Sequence, residues 1–436
     1  MQPSHSAKEY RPPGCPLGGA QILGLNPLPQ GQIQMYRVST FIRHFAVCLG
    51  AGVIVATLWV SLDPASYYDF IEWRLADLPL PASLNLHPAS LTPLSVVSDG
   101  LMAFFMFFVA KELWESLILE RGALSGPRAI VPLGGMIGAA LGAVAVWTLF
   151  GAIFETADEA GFATGWSVPV GSDVVLAYLM GRWVFGPGHP ALHILLLVTV
   201  SLDVMGLVML GVAHPTDGLL KLAWLALPLA AGAGVWLMFD RRLRPDAPER
   251  LRRRAMALWP YIIAGIFSYI GVAAAGLPPA LGLLPVIPVI PHADRSFGLF
   301  AEAEEFLHDP LNRLAHALVR PLAVVLFLFG LTRGGIDLQA AGPTTGTVLA
   351  AFWLGKPLGF ITGCLLAARL GGGRVPMGLS LRELGLIALL LGMGFTVPVL
   401  GLAASLPGGE MAEAARLGLA LSLLAGPLAL GLSRLR

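Results

Sequence analysis

Five ionisable side chains stand in or at the ends of apolar stretches of this 436-residue chain: Asp99, Glu112, Asp173, Asp203 and Lys356. A charge held in hydrocarbon costs at least about 2–3 kcal/mol, so in lipid such groups pair with one another, carry protons or meet a passing ion. Asp203 sits in the middle of the apolar run 195–210 with no other charge near it in sequence. Lys356 is one of four lysines in the chain and lies in Ala350-Ala-Phe-Trp-Leu-Gly-Lys-Pro-Leu-Gly-Phe-Ile361. Asp173 follows Pro169-Val-Gly-Ser172, a backbone break inside an apolar run. Bland readings compete with the functional ones. Asp203 and Lys356 can form a buried pair that only fixes packing, because desolvation offsets much of its attraction. Lys111 and Glu112 end an apolar run and can snorkel to the membrane interface. Asp99 can be a simple helix-end carboxylate.

Composition explains why these residues are conspicuous. Charged residues make up 13% of the chain, against the roughly 25% usual in soluble domains, while hydrophobic residues make up 56%. A soluble fold of this size needs a charged shell that this composition cannot supply, so the chain reads as an all-α polytopic membrane protein. Lys and Arg total 28 and Asp and Glu 27. That neutral balance excludes the clustered positive charge of a nucleic-acid binder. Cys15, Cys48 and Cys364 are scattered and odd in number, with no CxxC or Cys/His cluster. They imply neither a disulfide framework nor a bound metal.

A membrane helix needs about 20 apolar residues, and on that basis the chain offers twelve candidate spans. They are Phe45–Leu62, Leu94–Lys111, Ala129–Phe154, Val168–Val184, Ala191–Ala213, Leu219–Phe239, Leu258–Ala275, Pro279–Ile290, Pro321–Leu331, Val348–Ala368, Leu384–Ala404 and Leu417–Leu432. Residues 1–42 are expected to be a disordered tail, with Met35 as an alternative start, and residues 43–436 a single transmembrane domain. With both termini cytoplasmic, 22 of the 28 basic residues fall inside and 4 outside, with 2 in the spans. This is the asymmetry of an inserted protein. Gly134, Gly138 and Gly142 repeat every four residues in the third span, a spacing that lets membrane helices approach closely.

A second interruption, Gly392-Met-Gly-Phe-Thr396-Val-Pro398, breaks the eleventh span, so the fourth and eleventh spans both read as discontinuous. Paired broken helices in opposite halves of a chain point to a midplane site built from inverted repeats. Half-helix ends in the membrane carry partial charge, positive at N-termini and negative at C-termini. Asp173 can balance the former and Lys356 the latter.

Val170-Gly-Ser-Asp173-Val-Val-Leu-Ala, Ser201-Leu-Asp203-Val-Met-Gly206, Leu354-Gly-Lys356-Pro-Leu-Gly359 and Gly392-Met-Gly-Phe-Thr396 together resemble the NhaA-type sodium/proton antiporters. Val97-Ser-Asp99-Gly-Leu-Met-Ala-Phe-Phe and Gly335-Ile-Asp-Leu-Gln339 are similar as well, and the likeness runs in order from about residue 43 onward. The resemblance implies twelve helices, the fourth and eleventh unwound and crossing. It implies exchange of external protons for internal sodium or lithium in a bacterial inner membrane, with no cofactor and no enzymatic activity. Asp203 and Asp173 would be the ion- and proton-binding carboxylates, Lys356 the charge partner of Asp203, and Ser172 and Thr396 supporting oxygens. Residues 78–93 fall where the family has an outer hairpin used in homodimer contact.

Two departures qualify it. The fifth span of the family carries two consecutive aspartates, and here the second is Val204. Asp203 would then serve both Lys356 and the ion, so sodium exchange is expected to be weak or absent beside relatives with both carboxylates. The charged cluster that the family links to pH sensing is thinned to Lys111, Glu112 and Glu115, with Trp114 at a charged position. Glu112 is the remaining candidate for a pH response. The alternative is a non-transporting scaffold or sensor that keeps the fold, or proton-coupled transport of another ion.

Overall fold

The computed structural model describes residues 41–77, 90–118, 129–153, 162, 165–214, 219–239, 256–291, 309–370, 379–406 and 408–435. All but the last two residues of the expected N-terminal tail lie outside this set, and Phe41 already opens the first helix.

Among the described residues, eight helices are long and apolar enough to cross a bilayer: Phe41–Leu62, Pro93–Ile118, Ile130–Ile153, Gly165–Phe185, Pro190–Ala213, Pro310–Arg333, Pro343–Leu370 and Glu410–Arg434. Shorter apolar helices cover Ala223–Phe239, Trp259–Ala274, Pro279–Val289 and Thr396–Ser405. Outward faces stay apolar, as with exposed Ile137, Leu141 and Leu149, which suits a lipid rather than a water surround. The one ladder among the described residues pairs Ala76 with Leu91 and Asp77 with Ser90. Most of the expected 78–93 hairpin, residues 78–89, lies outside the described residues.

Several boundaries differ from the hydropathy reading: the second span runs on past Lys111 to Ile118, the tenth starts at Pro343 and the twelfth at Glu410. The ninth candidate, Pro321–Leu331, extends backwards to Pro310. Its early turns hold Asn312, Arg313 and His316, which hide a helix from an apolar scan. Asp309 caps that start by accepting from Asn312 N at 3.2 Å. The eighth candidate is a pair of tight 3-10 turns, Pro279–Leu281 and Leu284–Val289. Pro279, Pro285 and Pro288 lack the N–H that regular helix needs.

Two glycine stripes lock the helix that carries Lys356. A Cβ added at Gly138 would lie 2.2 Å from Gly359 O, and one at Gly142 would lie 2.3 Å from Gly355 O. Conversely, a Cβ at Gly359 would lie 2.1 Å from Gly138 O, and one at Gly363 would lie 2.3 Å from Gly134 O. The backbones of Ile130–Ile153 and Lys356–Leu370 therefore touch directly, as the four-residue repeat predicts. Gly355 and Gly359 flank Lys356 in the same motif, so the contact that joins the helices also fixes the lysine.

Gly138→Ala should destabilise the detergent-solubilised protein by about 1–3 kcal/mol, because a packed backbone contact must open. Gly234, which has open space around it, should tolerate Ala without loss. Thermal unfolding of the two variants side by side checks this.

Candidate functional site

The two broken helices meet through their interruptions. The 3-10 turn Gly165–Val170 ends at Gly171, and regular helix resumes at Val174–Phe185. Leu381–Leu390 stops before Gly392, and Thr396–Ser405 continues the chain. A Cβ at Gly171 would lie 2.6 Å from Val397 Cγ1, so only glycine permits this approach.

Asp173 is the N-cap of Val174–Phe185 and accepts from Leu176 N at 2.8 Å. Its other oxygen accepts from Thr396 N, at the start of Thr396–Ser405, at 3.1 Å. One carboxylate thus faces the positive ends of half-helices from both halves of the chain. The break in the second helix has its own partner. Ser422 Oγ receives Gly394 N at 3.2 Å and lies 3.2 Å from Gly394 O, re-satisfying backbone groups that the interruption frees. The sequence reading missed Ser422, whose only signal is a hydroxyl in an apolar run.

Lys356 and Asp203 are both wholly buried, yet the expected direct ion pair is absent. Lys356 Nζ donates to Gly171 O and stands 4.0 Å from the centre of the Phe352 ring, a favourable place for a cation. Asp203 Oδ1 accepts from Ser172 N at 2.7 Å. Gly171 O and Ser172 N belong to one peptide group. That group lies between the charges with its negative end toward the lysine and its positive end toward the aspartate. The pairing is therefore bridged, because the broken helix occupies the space between the two side chains. Lys356 also takes up the C-terminal end of the first half of the broken helix. Asp203 Oδ2 has no hydrogen-bond partner.

Ser172 is wholly buried and donates through Oγ to Thr199 O at 3.3 Å. Thr396, also wholly buried, reaches the site through its backbone N–H. Val204 is half-buried and packs between the main apolar core and the cluster around Phe107 and Leu311. It points about 100° around the helix from Asp203.

The remaining charges lie elsewhere. Lys111 Nζ contacts Glu112 Oε1 at 2.9 Å and Glu115 Oε2 at 2.8 Å, with all three residues buried. Snorkelling is thus corrected: the lysine is held by two carboxylates inside the protein. Asp99 is exposed and sits in a π-helical turn, Val96–Leu101. His193, ten residues before Asp203 on one helix, is wholly buried with neither ring nitrogen hydrogen-bonded. The sequence reading also missed this residue.

Residues 42–432 match the family model described as Na+/H+ antiporter 1. The chain is 39% identical to the Na(+)/H(+) antiporter NhaA of Jannaschia sp. strain CCS1, covering 88% of this chain and 94% of that protein. It is 33% identical to the Na(+)/H(+) antiporter NhaA 2 of Pelobacter propionicus, covering 90% and 96% respectively. It is 32% identical to the Na(+)/H(+) antiporter NhaA of Geobacter metallireducens, covering 92% and 98%.

A peptide-bridged pair should still couple energetically. Lys356→Leu strands Gly171 O and leaves the Asp203 charge uncompensated. Adding Asp203→Asn should recover part of the loss, with non-additivity of about 1 kcal/mol or more. A double-mutant cycle read by thermal unfolding checks this, and strict additivity would show that the peptide transmits nothing.

Proposed function

This chain belongs to the NhaA-type Na+/H+ antiporter family, and from that premise we propose that its two ions compete for the Asp203 carboxylate. The activity is secondary active exchange of sodium or lithium for protons, in a multi-pass protein of the bacterial inner membrane. The observation that carries the proposal is Asp203 itself: wholly buried, with Oδ1 engaged by Ser172 N and Oδ2 without a partner.

A hard cation requires several oxygen ligands at short range. Asp203 Oδ2 supplies the anionic oxygen, and the carbonyls and hydroxyls around the break at 171–173, with Asp173 and Thr396 beside them, are the further donors. A proton on Asp203 cancels that charge and discharges the cation. Loss of the proton to the other side restores the site. Each direction of exchange leaves the carboxylate neutralised by one ion or the other, which is what its burial demands. Lys356 acts from behind the Gly171–Ser172 peptide and serves as charge partner without covering Oδ2.

The same reading extends to architecture. Twelve spans and cytoplasmic termini accord with the basic-residue distribution, and the paired breaks at residues 171–173 and 392–395 support an inverted repeat that crosses there. The paired ends at 76–77 and 90–91 support an outer hairpin that serves homodimer contact, which cysteine cross-linking between copies across 78–93 would test. A C-terminal reporter fusion should be active only in its cytoplasmic form, and periplasmic activity would overturn the topology.

In everted vesicles, sodium addition should dissipate a preformed proton gradient, read by a pH-sensitive dye. Asp203→Asn should abolish the response, and retention of sodium-driven exchange in that variant would place the ion site elsewhere. Val204→Asp should raise the response at low sodium, because a second carboxylate enters beside the first.

A further inference from the structure

Asp203, Leu207, Leu210 and His214 recur at i, i+4, i+7 and i+11 of one helix and so share a face. The last three line a cavity of about 270 Å3, large enough for several water molecules. Its far end reaches His214, about 16 Å along the helix from Asp203. Leu207, wholly buried, lines the cavity one turn along the helix from Asp203. The other walls bring together Ser98, Asp99, Arg333 and Ala403. On the topology proposed above, all of these sit at outer ends of their helices.

One guanidinium, Arg333, and one carboxylate, Asp99, share the lining of this cavity. Arg333 is permanently charged, and its Nε donates to Ser98 Oγ at 2.7 Å, which fixes the guanidinium across the cavity wall. Asp99 supplies one opposing carboxylate but makes no ion pair with Arg333 among the described residues. His214 donates from Nδ1 to Leu210 O at 3.0 Å, and its Nε2 has no hydrogen-bond partner. A further cation, Arg416, is held by Glu413 at 2.7 Å. A fixed arginine in a narrow aqueous passage raises the energy of any cation that enters it.

We propose that Arg333 is a cation filter in the outer passage, which raises the energy of sodium there and so limits its access to Asp203 from outside. The inference rests on the transport reading above for its purpose, and on the cavity and its charges for its mechanism.

The decisive measurement is the charge preference of the cavity. In a background with Cys15, Cys48 and Cys364 replaced by Ser, Ala403→Cys places a thiol at an exposed position on the cavity wall. Right-side-out vesicles are then treated with a membrane-impermeant cationic methanethiosulfonate and, separately, with an anionic one. Both should label from outside. Arg333→Gln should raise the ratio of cationic to anionic labelling rates about tenfold, as expected for removal of a focused charge, whereas Arg333→Lys should leave it within about twofold. No labelling from outside, or an unchanged ratio in the Gln variant, overturns the proposal. The ratio is internal to each preparation, so a lower yield of folded variant does not affect it. In proteoliposomes, Arg333→Gln should lower half-saturation by outer sodium about fivefold and leave the inner value unchanged, again by loss of that field. Equal shifts on both faces would count against the filter. Absence of sodium exchange in the unaltered protein would overturn the transport reading, while the labelling ratio would still decide the filter.

Discussion

The peptide group between Gly171 and Ser172 is the point on which the membrane interior of this protein depends. Its carbonyl receives the lysine at 356 and its N–H meets the aspartate at 203. A peptide dipole of about 3.5 D aligned between opposite charges stabilises both. Neither charge could be buried alone without a cost of several kcal/mol. Within a regular helix that peptide would spend both its groups on neighbours one turn away. The interruption after Val170 is therefore what makes it available to both charges.

Glycine is what allows the backbones to come this close. A Cβ at Gly206 would lie 2.8 Å from Gly171 N, and one at Gly394 would lie 2.0 Å from the Phe352 ring on which Lys356 rests. The Asp203 helix, the first break, the second break and the Lys356 helix are thus packed backbone to backbone or backbone to ring. The stripe Gly134, Gly138 and Gly142 holds the Lys356 helix from its other side. Asp173 completes the tie by joining the starts of two half-helices. A change in charge at Asp203 therefore acts on elements from both halves of the chain without passing through a flexible loop.

Much of this was legible in the sequence because membranes make violations conspicuous. A lone Asp203 or Lys356 in an apolar run, and a Gly-Ser or Gly-Met-Gly interruption, cannot be accommodated in lipid without a reason. The glycine repeat fixed which face of the third span is packed. What stayed hidden was geometry without a compositional mark. The π-helical turns before Lys356 and around Asp99 leave no distinct residue pattern. Ser422 looks like any serine in an apolar helix, and Arg333 like any basic residue at a helix end. Hydropathy also failed where polar residues enter a helix early, as at Pro310–Arg333. The bridged arrangement of Lys356 and Asp203 was invisible for a simpler reason: sequence shows which charges are buried, not what stands between them.

The bridge changes the weight to be given to Val204. With one carboxylate in place of two, a direct contact with Lys356 would occupy Asp203 and leave little anionic oxygen for sodium. In the structure, Lys356 is satisfied by Gly171 O and the Phe352 ring, and Ser172 N engages only Oδ1. Oδ2 is left without a hydrogen-bond partner. An isopropyl group at 204 meanwhile meets apolar neighbours and strands no polar atom. On the proposed reading, a single carboxylate not covered by its lysine serves the cation alone. It does so with fewer anionic ligands, which weakens the hold on the cation in the same measure as it eases release.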